Sequence, residues 1–357
     1  MKQNTTLSHQ KILKLDRDHK QAAKAARLIY VSDSKPGITR QKKTKEYSYS
    51  LAGKPLKNKA QLERIKKLAI PPSWTQVWIC PNENGHIQAT GLDLNGRKQY
   101  RYHAEWNKLR TETKFHRLYE FGKVLPLLRR KVKKDMTDAT LTERKVLATV
   151  VNLMEHTNIR VGNNGYEKLY GSYGLTTLKD KHVTIKKEDI LFSFTGKKGI
   201  EHSITLKNKK LARIIRQCRD IPGKELFQYY ASDGQKKSID SGMVNNYIKE
   251  ITQAEFTAKD FRTWAGSLQA LESFHSLDEP INASAIKKNI ITVLDAVSNK
   301  LGNSRSICKK YYIHPGLIKL YEENKLKQLF LVSSVKRETA GLSAEEKILM
   351  RTLKKSV

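Results

Sequence analysis

Residues 183–206 read VTIKKEDILFSFTGKKGIEHSITL. Apolar side chains fall on alternate positions in three runs: Val183 and Ile185, then Ile190, Phe192 and Phe194, then Ile200, Ile204 and Leu206, with His202 in step. A period of two belongs to strands with one buried face. Gly196-Lys197-Lys198-Gly199 separates the last two runs and predicts a hairpin tip bearing lysine. The stretch is therefore an antiparallel β island.

Its flanks read as helix. Upstream, Leu147, Val150, Val151 and Met154 recur at helical spacing, and Thr140 with Glu143 predicts the capping box that opens this helix. The helix is expected to end in Arg160, just before a turn at Gly162. Downstream the helical pattern continues through Tyr321, and Ser343 with Glu346 predicts a capping box for a short basic helix ending near Leu353. Before Trp106 the pattern is β-like. Val77 and Ile79 alternate, Asn82–Gly85 is a turn, Ile87 and Ala89 alternate, and Asn95-Gly96 is a hairpin signal. A helical stretch over Lys59–Leu68 is stopped by Pro71-Pro72. The fold class is α+β. Residues 1–27 are a basic extension, 28–106 a small antiparallel β-sheet domain with helices, 107–321 a mainly α-helical domain with the β island, and 322–357 a basic helical tail.

The chain has 357 residues, with 68 Lys and Arg against 35 Asp and Glu, a net charge of +33. Such an excess points to a polyanionic partner, nucleic acid or an anionic membrane surface. No apolar run has the length of a membrane span, and the first 30 residues lack the apolar segment of a secretion signal. Three widely spaced cysteines, Cys80, Cys218 and Cys308, suit a reducing cytosol. Metal-site spacings such as HExxH and CxxC are missing, and the glycines make neither GxxxxGK[ST] nor GxGxxG, so neither a metal nor a nucleotide cofactor is expected.

Phosphate chemistry without either needs cationic side chains: guanidiniums on the non-bridging oxygens, a nucleophile in line, and an acid for the leaving oxygen. Four segments offer these types: Asn158-Ile159-Arg160-Val161-Gly162-Asn163-Asn164-Gly165-Tyr166, the Gly196–Gly199 hairpin, Lys259-Asp260-Phe261-Arg262-Thr263-Trp264, and Leu301-Gly302-Asn303 through Lys310-Tyr311-Tyr312-Ile313-His314-Pro315. Each has a plainer reading. Arg160 could serve a helix end, Arg262 could pair with Asp260 at the surface, Lys197 could be a solvated hairpin lysine, and spacing does not choose between Tyr311 and Tyr312.

Taken in order, and with Ile70-Pro71-Pro72-Ser73-Trp74 and Gly96-Arg97-Lys98-Gln99-Tyr100-Arg101-Tyr102-His103, these segments resemble the small type IB DNA topoisomerases, the poxvirus-like and bacterial branch. The resemblance covers about Leu28 to Tyr321 and implies the catalytic fold shared by tyrosine recombinases and type IB topoisomerases. It implies Tyr312 as the nucleophile forming a 3′-phosphotyrosyl link, Arg160 and Arg262 as the clamp on the phosphate, and Lys197 as the general acid. Asn303 occupies the position of a histidine in viral members and would hydrogen-bond a phosphate oxygen without adding charge. Arg97, Lys98, Gln99, Tyr100, Tyr102 and Tyr166 would contact DNA, their basic and aromatic alternation suiting phosphates and sugars or bases. Asn163 stands where viral members have a DNA-contacting lysine. The implied protein is a cytoplasmic, nucleoid-associated enzyme, a monomeric clamp on duplex DNA that relaxes supercoils without ATP or metal. A tyrosine recombinase and a non-enzymatic coating protein are the competing readings; the β-type first domain disfavours the former, and a coating protein leaves the ordered motifs without a purpose.

Overall fold

The computed structural model describes residues 9–43, 46–94, 96–331 and 341–355. The chain divides into two compact units, Met1–Arg117 and Leu118–Val357.

The first unit holds helices α1 (His9–Arg17) and α2 (His19–Ala25), strands β1 (Ile38–Lys42), β2 (Tyr47–Leu51) and β3 (Lys54–Pro55), helix α3 (Lys59–Lys67), and strands β4 (Thr75–Ile79), β5 (Ile87–Leu92) and β6 (Lys98–Tyr102). The strands form one antiparallel sheet in the order β3-β2-β1-β4-β5-β6. Val77 and Ile79, two apart on β4, bury the same face with Ile38 and Ala89, and Ile65 of α3 closes this core. The expected turn before β6 begins at Asn95, which lies outside the described residues. The Ile70–Trp74 motif proves to be a backbone fixture. Arg40 donates to the carbonyls of Ile70, Pro71 and Trp74 at 3.3, 3.0 and 2.6 Å, and the Tyr47 hydroxyl donates to that of Pro72. Residues 9–25 are built into this unit: Leu15, Ala22 and Ala23 pack on Leu28, Trp106 and Leu109, and Asp16 pairs with Arg110 and Arg117.

Helix α4 (Ala104–Asp135) runs across the division. The second unit continues with α5 (Glu143–Thr157), α6 (Asn164–Tyr170), strands β7 (Val183–Lys186), β8 (Asp189–Thr195) and β9 (Glu201–Lys207), α7 (Lys209–Arg219), strands β10 (Gln228–Tyr230) and β11 (Lys236–Ser238), and helices α8 (Ser241–Thr252), α9 (Ala258–Ser276), α10 (Ala283–Leu301), α11 (Arg305–Tyr311), α12 (Pro315–Glu322), α13 (Leu326–Leu331) and α14 (Ala344–Lys355). The predicted β island is the antiparallel meander β7-β8-β9, with Ile190, Phe192 and Phe194 buried on one face. Helix α5 is buried almost all round from Lys145 to Met154, which makes it the central helix of the unit. Phe121 of α4 meets Phe261 and Trp264 of α9 edge-on, with centroids 5.1 and 6.0 Å away.

Three local readings need correction. Thr142, not Thr140, caps α5, accepting from Lys145 N at 3.2 Å, while the Thr140 hydroxyl turns to Asp138. The helix stops at Thr157, because Asn158 takes the left-handed conformation (φ 56°), so Arg160 stands beyond the helix. A second ribbon, β10-β11, turns at Gly234 inside a region read as helical; three-residue strands are too short to show a period. The expected C-terminal helix buries Ile348, Leu349 and Leu353. Its predicted cap is present, with Ser343 N donating to Glu346 and Glu346 N to the Ser343 hydroxyl.

Candidate active site

The end of α5 and the end of α10 meet through two arginines. Residues 160–162 follow α5 as irregular chain, with Gly162 at φ 105°, and are held by the segment after α6. Leu175 N donates to Arg160 O at 2.9 Å and Thr176 N to Val161 O at 2.7 Å. From this strut the half-buried Arg160 sends one terminal nitrogen to Gly302 O at 3.0 Å and to Asn303 Oδ1 at 3.1 Å. Arg262, in the second turn of α9, is 6% exposed. It donates to Asn158 O at 2.5 Å and to Leu301 O at 2.6 Å, so its fork spans the same two helix ends. The surface pair with Asp260 does not form. The Asp260 carboxylate instead accepts from Thr257 N at 2.8 Å at the start of α9.

These arginines give their protons to carbonyl oxygens rather than to carboxylates. Burial and the neighbouring Arg262 lower the pKa of Arg160 to about 10, while Tyr312 and Cys308 act in the opposite direction. Arg160 therefore stays cationic at neutral pH, and the two like charges sit together. The buried Arg262 Nε also has no hydrogen-bond partner. Two desolvated guanidiniums with an unsatisfied donor make a site that an anion would stabilise.

Tyr312 caps the end of α11, with the Arg262 guanidinium carbon 5.4 Å from its ring centroid. Its backbone is fixed from α9: the Ser267 hydroxyl donates to Tyr312 O at 3.0 Å and accepts from His314 N at 3.0 Å. A Cβ on Gly266 would lie 2.8 Å from Tyr312 Cβ and from Tyr312 O, so only glycine permits this approach. Tyr311 is 39% exposed and its ring faces Lys310. Asn303 turns Oδ1 to Arg160; because arginine only donates, the amide orientation is determined, and Nδ2 donates to Leu301 O at 3.5 Å with its second proton left for another acceptor.

Lys197 is exposed at the tip of the β8-β9 hairpin, its Nζ 5.5 Å from the ring centroid of Tyr166 on α6. Asn163 caps α6, accepting from Gly165 N and Tyr166 N. Arg160, Arg262, Asn303 and Tyr312 are thus brought into one cluster, and Lys197 is paired with Tyr166. The other residues expected to contact DNA lie in the first unit, Lys98, Gln99, Tyr100 and Tyr102 on β6 and Arg97 just before it. Tyr100 and Tyr102 are exposed and stacked with centroids 5.7 Å apart. Arg97 and Gln99 are held by Asp93, and Lys98 by Asp33 at 2.6 Å. Ser267, Gly266 and His202 were missed by motif reading. His202, a titratable group in an apolar alternation, was the one visible signal. Among the described residues no group of three His, Cys, Asp or Glu side chains could hold a metal ion.

Comparisons with known proteins identify the family. The family model of the eukaryotic DNA topoisomerase I catalytic core matches residues 103–336, and that of the bacterial DNA topoisomerase IB N-terminal domain matches residues 46–93. DNA topoisomerase 1B of Acanthamoeba polyphaga mimivirus is 36% identical over 270 residues, covering 74% of this chain and 80% of that protein. DNA topoisomerase 1 of rabbit fibroma virus is 30% identical over 70% of this chain and 78% of its own. DNA topoisomerase 1B of vaccinia virus is 25% identical over 65% of this chain and 72% of its own. The chain belongs to the type IB DNA topoisomerases, enzymes of the isomerase class.

Proposed function

We propose that this chain relaxes supercoiled duplex DNA by nicking one strand, letting it rotate, and resealing it. The Tyr312 phenol gives up its proton to water, its oxygen attacks the phosphorus, the P–O5′ bond breaks, and a 3′-phosphotyrosyl ester and a free 5′-hydroxyl result. Arg160 and Arg262 hold the non-bridging oxygens as the transition state gathers charge. Asn303 Nδ2 donates to one of those oxygens. Lys197 gives its proton to the leaving 5′-oxygen and takes it back on religation. The tyrosyl ester keeps the energy of the phosphodiester, so resealing needs neither ATP nor metal.

The observation that carries this reading is the buried Arg262 guanidinium over the Tyr312 ring, joined by the half-buried Arg160 at the same two helix ends. The catalytic unit takes the tyrosine recombinase/topoisomerase IB fold, and residues 28–106, with Arg97, Lys98, Gln99, Tyr100 and Tyr102, form the second jaw of a monomeric clamp. Tyr166 contacts DNA beside Lys197. A net charge of +33 makes this binding strongly salt-dependent. The enzyme would act on the nucleoid in the cytoplasm; no helix among the described residues is long and apolar enough to cross a membrane.

The test is relaxation of negatively supercoiled plasmid in EDTA without ATP, for the wild type and Tyr312→Phe. Relaxation by the wild type alone, with a covalent protein–DNA adduct after denaturation, is expected. Relaxation by both would move the nucleophile away from Tyr312, and a DNA-binding wild type that does not relax the plasmid would sink the reading.

A further inference from the structure

We infer that His202 is a positioning residue that wedges the Lys197 hairpin against the Gly302 turn, setting the general acid relative to the arginine clamp. This rests on the assignment of Lys197 as that acid.

His202 lies on β9 opposite Phe194 of β8, and the two rings stack with centroids 5.0 Å apart. The far edge of the imidazole fills a gap between two glycines. A Cβ on Gly196, the residue before Lys197, would lie 2.5 Å from His202 Cδ2 and 2.6 Å from Nε2. A Cβ on Gly302 would lie 2.8 Å from Cε1 and 3.9 Å from a terminal nitrogen of Arg160. Gly302 is also the residue whose carbonyl accepts from Arg160, and it precedes Asn303. One ring therefore touches the root of the lysine hairpin and the turn that orients both Arg160 and Asn303.

The turn itself is weakly determined without this contact. It is a single tight loop, with Gly196 N donating to Ile200 O at 2.7 Å, Lys198 in a left-handed conformation, and Lys197 exposed. Burial and the charges of Arg160 and Arg262 hold His202 below its ordinary pKa, against a smaller opposing influence of Glu201. The ring is neutral at working pH and adds no third cation to the clamp. Its contribution is shape: a flat, stiff side chain between two backbones that have no side chains of their own there.

Sulfur in place of the leaving 5′-oxygen tests this, because a thiolate departs without protonation. Single-turnover cleavage is measured on a duplex that the wild type cuts, with oxygen or sulfur at the 5′-bridging position. Lys197→Ala is expected to be slowed about 100-fold or more on oxygen, as for loss of a general acid, and restored on sulfur. His202→Ala should be slowed about tenfold or more on oxygen and restored on sulfur, with unchanged DNA affinity. The double variant should be no slower than Lys197→Ala alone, since His202 acts through the lysine. Gly196→Ala, which pushes on the ring from the hairpin side, should repeat the pattern and guards against misfolding of one variant. If sulfur restores Lys197→Ala but not His202→Ala, or if His202→Ala cleaves oxygen at the wild-type rate, the inference falls alone. If sulfur restores neither, the assignment of Lys197 falls and this inference with it.

Discussion

Replacing Glu346 with alanine should unfold the catalytic unit at markedly lower temperature. This carboxylate is 3% exposed. It accepts from Arg129 at 2.6 and 2.8 Å, from Trp264 Nε1 at 3.0 Å and from Ser343 N at 2.8 Å. It thus clips the C-terminal helix to the helix that carries Arg262, two residues from Trp264. Removing it leaves the partly buried Arg129 with Glu155 as its remaining carboxylate partner and strands a buried indole donor. Breaking one side of a buried ion pair costs about 3–5 kcal/mol. For a unit of this size 1 kcal/mol shifts the midpoint by roughly 2–4 °C, so a fall of about 6 °C or more is expected by calorimetry. The pH dependence has a definite sign. Desolvation raises the Glu346 pKa, but the hydrogen bonds from Arg129, Ser343 and Trp264 outweigh it and hold the value below the ordinary one. The stabilisation is then full above the unfolded value, near about 4.3, and is lost as pH falls through the lower folded value. The difference between wild type and variant should shrink in strong acid. A midpoint within about 2 °C of wild type at pH 7 would refute the view that this helix is part of the unit.

Three other outcomes follow from the site. Arg262→Lys should lose relaxation about as fully as Arg262→Ala, at least 100-fold, because an ammonium cannot span both Asn158 O and Leu301 O; plasmid relaxation rates read this, and near-wild-type activity would contradict it. Gly302→Ala should slow single-turnover cleavage about tenfold or more, since φ is 56° and the added methyl meets the His202 ring. Tyr311→Phe should relax plasmid within about twofold of wild type, its ring being 39% exposed and facing Lys310; a large loss would reopen the choice of nucleophile.

Strand and helix periods are local, so the meander of 183–206 and its lysine-bearing turn were legible from one stretch of sequence. The same holds for the cap formed by Ser343 and Glu346. The family motifs were legible because each is a short run of residue types whose chemistry suits phosphate. Local reading failed where the deciding contact is distant. Arg262 lies two residues from Asp260, and a surface pair was a fair reading until the fold turned its guanidinium inward. There it meets carbonyls 104 and 39 residues away. The Ile70–Trp74 motif owes its shape to Arg40, some thirty residues earlier. Tyr311 and Tyr312 are equivalent in spacing, and the packing of Gly266 and Ser267 on Tyr312 holds that residue under Arg262. By itself the sequence determined the chemistry of the family and the elements that carry it. The tertiary structure alone decided the partners of each charged group, because burial sets the strength of a charge and burial is a property of the packed chain.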